Sequence, residues 1–230
     1  MTLITILIIG ITVIFSFKAF SNHSLFDRYK FQPQAILQGK QYDRLLTSGF
    51  LHVDLTHLLF NMLTLYFFAN VVIGFLGSQL GGLPNGSVAF AVIYLAAIIG
   101  GNLLALLFQK DNPRYSAVGA SGGVSGILFA SIVIYPDLEL YLFFFLPMKG
   151  WVFAFLYLGY SIYGMRKQLG NIGHEAHLGG AIVGLAAPLL IQPQLIQSSQ
   201  VHILGFQLPL VVLLLIPIVV LLVMAIQARK

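Results

Sequence analysis

The chain has 230 residues, of which 58% are hydrophobic and 8% charged, with a formal net charge of +5 and no cysteine. A soluble domain carries about 25% charged residues, so this chain cannot cover a water-facing surface and reads as an integral membrane protein. The absence of cysteine excludes disulfides and thiolate chemistry. In a polytopic chain the basic balance concerns topology and lipid headgroups before nucleic acid, and no nucleic-acid partner is expected.

In chain order, residues 2–20 form an apolar run of the length a helix needs to cross a core about 30 Å thick. The run has neither a basic n-region nor a small-residue cleavage site, and reads as a retained span. Residues 21–51 are polar and read as a long loop, partly helical at the interface. A second span covers 52–76, and the Gly-rich stretch 77–86 reads as a turn. Spans three and four cover 87–108 and 119–135, the latter stopped by Pro136-Asp137. The apolar but interrupted segment 138–147 is expected to pack along the bundle or the interface. Spans five, six and seven follow at 149–165, 174–191 and 206–226. Each run is continuous and does not alternate, so closed barrels are excluded and the expected fold is all-α: an integral membrane bundle of six core helices over 1–191, then a linker and a seventh helix over 192–230.

Gly119-Ala120-Ser121-Gly122 opens the fourth span and Ala176-His177-Leu178-Gly179-Gly180 begins the sixth. A nucleophilic serine needs room for a tetrahedral intermediate and a free backbone N–H for the oxyanion, and small neighbours provide both. Gly122-x-x-x-Gly126 and Gly180-x-x-x-Gly184 are also small-residue packing motifs. The two readings are compatible, since close packing would bring Ser121 within reach of His177. A neutral imidazole shielded from bulk water suits a general base. Glu175 lies about 200° round the helix from His177, so the residues suggest a Ser–His dyad.

The third constellation is His52-x-x-x-x-His57-x-x-x-Asn61, whose last two members share a helix face. An Asn amide inside a span is either an oxyanion donor, with His57 beside it, or an inter-helix hydrogen bonder. A metal site built from His52, His57, His174 and His177 lacks a strong ligand spacing and is not expected. Arg44 is expected to bind loop carbonyls or lipid phosphates, or to be solvated.

These motifs, in this order, resemble the rhomboid family of intramembrane serine proteases. The segment from Arg44 through Thr47-Ser48-Gly49-Phe50-Leu51-His52 is similar to the family's first loop, and the likeness covers residues 1–191. The resemblance implies Ser121 as nucleophile and His177 as general base and acid. Asn61, His57 and the Ser121 backbone N–H would hold the oxyanion, and Gly180 would let the fourth and sixth helices approach. It also implies transmembrane protein substrates, contact with membrane lipids, no metal or cofactor, and a gate around 149–173 with Gly164, Gly170 and Gly173 as mobile points. A catalytically inactive member that binds transmembrane helices as a chaperone or trafficking factor is the alternative. A transporter would more readily show inverted repeats or several intramembrane charges.

Two positions depart from the family pattern. Four residues after the nucleophile an aromatic often stacks on the catalytic histidine, but here Ser125 stands, leaving the aromatics at 143–145 or Tyr160 and Tyr163 as substitutes. Asp43 replaces the tryptophan that often precedes the loop arginine. In the seven-span map Lys149 is the only basic residue on its side, which turns the other end to the cytoplasm. The family instead implies a bacterial cytoplasmic membrane with the active site facing the extracytoplasmic side.

Overall fold

Backbone N–H and C=O groups in lipid must be satisfied within their own segment, and the apolar runs of this chain accordingly wind into helices. The computed structural model describes residues 1–142, 145–170, 172–203 and 205–227. Helix α1 spans Leu3–Phe20. The polar stretch after it is more ordered than a loop, forming α2 (His23–Tyr29), α3 (Pro33–Leu37), α4 (Arg44–Thr47) and a 3-10 turn at Ser48–Phe50. Asn22 caps α2 by accepting the Leu25 N–H, and Pro33 starts α3 with a φ already suited to a helix. Arg44, 5% exposed, cross-links the segment: its guanidinium donates to the carbonyls of Asp27 and Lys30 at 2.9 and 2.6 Å and to Gln41 Oε1 at 2.6 Å. Of the roles expected for Arg44, carbonyl binding is the one observed.

Helix α5 (Leu55–Leu80) is capped by Asp54, whose carboxylate accepts the His57 N–H at 2.7 Å. It ends at Gly81 with φ +82°, and α6 (Leu83–Gln109) starts at once with Pro84 in its first turn. The expected ten-residue turn at 77–86 therefore shrinks to two residues, because a left-handed glycine and a helix-starting proline reverse the chain in minimal length.

Helix α7 (Ser121–Ile134) follows, and its residues 122–134 are all buried. At 14 residues it is about 21 Å long, too short for a core of about 30 Å. At least one end of α7 therefore lies below the membrane surface, sheltered by the surrounding helices. Helices α8 (Gly150–Lys167), α9 (His174–Ile191), α10 (Leu195–Ser198) and α11 (Leu210–Gln227) complete the bundle. Two antiparallel hairpins were not expected. Strands β1 (Glu139–Leu142) and β2 (Leu146–Lys149) occupy most of the interrupted segment before α8. Strands β3 (Gln200–Ile203) and β4 (Phe206–Pro209) precede α11 and take up the start of the seventh expected span.

Helices α1, α5, α6 and α9 are long and apolar enough to cross a membrane, while α7 and Leu210–Leu221 are shorter apolar helices. The protein is an all-α, multi-pass membrane bundle with hairpins confined to two connections. Its centre is α9, wedged between α6 and α7. A Cβ added at Gly179 would lie 2.6 Å from the Gly100 carbonyl oxygen, and one at Gly180 or Gly184 would fall on the carbonyl of Gly122 or Gly126. Small residues let these backbones touch where lipid provides no hydrophobic drive for association.

Candidate active site

The site is assembled around the N-terminus of α7. Gly119 has φ +135°, a conformation that side chains rarely allow, and an added Cβ would lie 2.7 Å from His57 Cε1. Two backbone bonds fix this turn from outside. The Gly119 N–H donates to the Ser48 carbonyl at 3.0 Å, and the Ala120 N–H donates to His52 Nε2 at 3.3 Å. His52, fully buried in the turn before α5, has its Nδ1 2.9 Å from Ser16 Oγ, and Ser16 donates to the Phe50 carbonyl. Nε2 accepts, so Nδ1 carries the hydrogen. Burial, reinforced by His57, pushes His52 from the usual 6.5 down to about 3, which keeps that ring neutral.

Ser121 is the first residue of α7. Its N–H has no partner four residues back and points out of the positive end of the helix dipole. On α5, Asn61 sits one turn after His57 and donates one Nδ2 hydrogen to the His57 carbonyl at 2.9 Å, leaving a second for another acceptor. On α9, His177 lies in the first turn. Gly119, Ser121, His57, Asn61 and His177 line one cleft of about 1040 Å³. No direct hydrogen bond joins Ser121 to His177 among the described residues, and resting sites commonly tighten such bonds only when substrate arrives.

The packing glycines bring the serine and histidine helices together. Gly122 meets the carbonyls of Ala176 and Ala97, and Gly180 meets Gly122. The cleft lies at the end of the bundle away from Met1, because Ser16, late in α1, touches His52 beside Ala120. The four histidines weighed as metal ligands fall into two ring pairs, His52–His57 with centroids 4.9 Å apart and His174–His177 at 6.5 Å. Glu175 is 2% exposed and accepts from Gln109 Nε2 at 2.7 Å.

The ring against His177 is neither of the expected tyrosines. Tyr160 packs edge-on against His174 at 5.4 Å, Tyr163 and Phe145 are exposed, and Phe143 and Phe144 lie outside the described residues. Tyr157 stacks on His177 instead, with centroids 5.9 Å apart and planes at 27°. Tyr157 is three residues after Ala154 and four before Ser161, both buried, so it lies on the inward stripe of α8. Sequence reasoning also passed over Asn102, an intramembrane amide on α6 that donates to the Leu45 carbonyl at 2.8 Å and to Ser48 Oγ at 3.0 Å. It thereby holds the loop that receives the Gly119 N–H.

A helical bundle with several apolar helices long enough to cross a membrane, and a cleft at the N-terminus of a short enclosed helix, defines a multi-pass membrane protein. The Rhomboid domain profile matches residues 39–194, and the chain belongs to the rhomboid family. It is 35% identical over 151 residues to RHOMBOID-like protein 12, mitochondrial, of Arabidopsis thaliana, covering 62% of this chain and 44% of that protein. Against Rhomboid protein 1, mitochondrial, of Saccharomyces cerevisiae it is 30% identical, covering 68% and 45%. Rhomboid protease GluP of Bacillus subtilis is also 30% identical, with 66% and 26% covered. The chain thus spans less than half the length of each of these relatives. Relatives from plant, yeast and human are named as mitochondrial proteins, which conflicts with the expected bacterial cytoplasmic membrane.

Proposed function

We propose that this protein is an intramembrane serine endopeptidase that cleaves transmembrane segments of other membrane proteins, with residues 1–191 as its catalytic core. The observation that supports this reading most is the convergence of Ser121, His177, His57 and Asn61 on one cleft at the free end of α7. Ser121 Oγ attacks the scissile carbonyl of an unwound segment while His177 takes its proton. The Ser121 N–H, the second Asn61 amide hydrogen and His57 receive the developing oxyanion. In a water-poor site one such donor contributes about 3 kcal/mol to the transition state. The C–N bond then breaks as His177 returns the proton to the departing amine. Water, deprotonated by His177, releases the acyl group as a carboxylic acid and regenerates Ser121. No metal or cofactor takes part in this scheme, and the cleft is taken to face the side of the membrane opposite the N-terminus.

The test is labelling of the detergent-purified protein with a fluorescent fluorophosphonate, beside Ser121→Ala and His177→Ala. Labelling should require both residues, with losses on the order of 10⁴-fold or more. A folded wild type that stays unlabelled in detergent and in lipid would favour a catalytically inactive helix-binding member.

A further inference from the structure

Ser125 and Tyr157 form a pair that the proposed reaction does not use. The two hydroxyls are 2.6 Å apart, Ser125 on α7 being 4% exposed and Tyr157 half-buried on α8. The Tyr157 ring is gripped from several sides. It contacts Phe129 of α7 at 5.4 Å and Phe153 of its own helix at 5.6 Å, and its remaining face lies along His177 of α9. One side chain of α8 thus bridges the serine helix and the histidine helix.

We propose that Tyr157 is the positioning residue for His177, clamped by Ser125, so that the dyad is aligned only while α8 is docked. This rests on the serine protease reading above. An imidazole on a helix retains two side-chain torsions, and a flat ring packed parallel to it removes most of that freedom. The hydroxyl bond to Ser125 sets where the ring sits. Helix α8 packs chiefly on α9 and α11 and only lightly on α7, so Ser125–Tyr157 is a main tie between α8 and the helix that carries Ser121. Because α8 carries the ring, the seating of α8 against α7 and α9 decides whether His177 is held.

Fluorophosphonate labelling of the full chain in lipid, followed against probe concentration, separates the maximal rate from the half-saturating concentration. Tyr157→Leu should lower the maximal rate at least tenfold, in line with the cost of sub-ångström to ångström misplacement, leaving the half-saturating concentration and the unfolding temperature near wild type. Tyr157→Phe, which keeps the ring but loses the bond to Ser125, should fall between the wild type and Tyr157→Leu. Should Tyr157→Leu fail to fold, Tyr157→Met, bulky but without a planar ring, carries the same expectation. Wild-type labelling rates in the ring-less variants would overturn the proposal while leaving the protease reading intact. Loss in Tyr157→Phe equal to that in Tyr157→Leu, or a matching fall in unfolding temperature, would also overturn it, in favour of a structural role. A wild type whose labelling does not depend on Ser121 and His177 would overturn both readings together.

Discussion

His52 accepts the backbone N–H of Ala120, the residue immediately before Ser121, across 68 positions of sequence. The imidazole thereby joins α1, through Ser16, to the turn that starts α7. Removing it strands a buried N–H, so His52→Ala should destabilise the protein by about 1–3 kcal/mol near neutral pH. The wild type should also show an acid slope that the variant lacks. His52 titrates near 3 when folded and near 6.5 when not, so below about 6.5 the unfolded chain binds a proton that the folded chain refuses. This contribution is whole above 6.5 and declines as pH falls toward 3. Denaturation of both proteins from pH 7.5 to 4 should show the gap between them narrowing. A constant gap would mean that His52 is not buried neutral.

The closest backbone approach in the bundle tests the packing half of the glycine motifs. Gly180→Ala or Gly184→Ala places a methyl group on a carbonyl that belongs to the next helix and cannot move aside alone. Each should cost about 1–3 kcal/mol as overpacking. Gly159→Ala on α8 meets nothing within 4 Å and should be neutral or stabilising by up to about 1 kcal/mol. Unfolding temperatures in one detergent compare the three directly. Equal effects at 159 and 180 would contradict the wedge.

Orientation is decided by labelling single cysteines in this cysteine-free chain. Ser24 is exposed on α2 at the cleft end, and Gln79 is exposed at the far end of α5. With the protein expressed in a bacterial inner membrane, Ser24→Cys should react with an impermeant maleimide in intact cells. Gln79→Cys should react only after lysis. The reverse pattern would show that the basic residues around the cleft, and not the family topology, set the insertion.

The sequence by itself determined the solvent, the secondary-structure class and the chemistry on offer. Apolar length demands helices in lipid, and the run 174–191 coincides with α9 to the residue. Ser121, His57, Asn61 and His177 were nameable because reactive groups inside spans are costly to keep and stand out against an apolar background. Tertiary structure alone decided which partner each group met. The sequence offered Tyr160 and Tyr163 for the ring against His177 and passed over Tyr157, and only the seating of α8 against α7 and α9 selected among them. His52, named in the sequence only within the His52–His57–Asn61 constellation and as an unexpected metal ligand, is a brace, because the turn at Gly119 delivers the Ala120 N–H to it. The enclosure of the helix that Ser121 starts likewise depends on how its neighbours pack around α7. Local chemistry sets what a residue can do, while long-range packing between segments far apart in the chain sets what it faces.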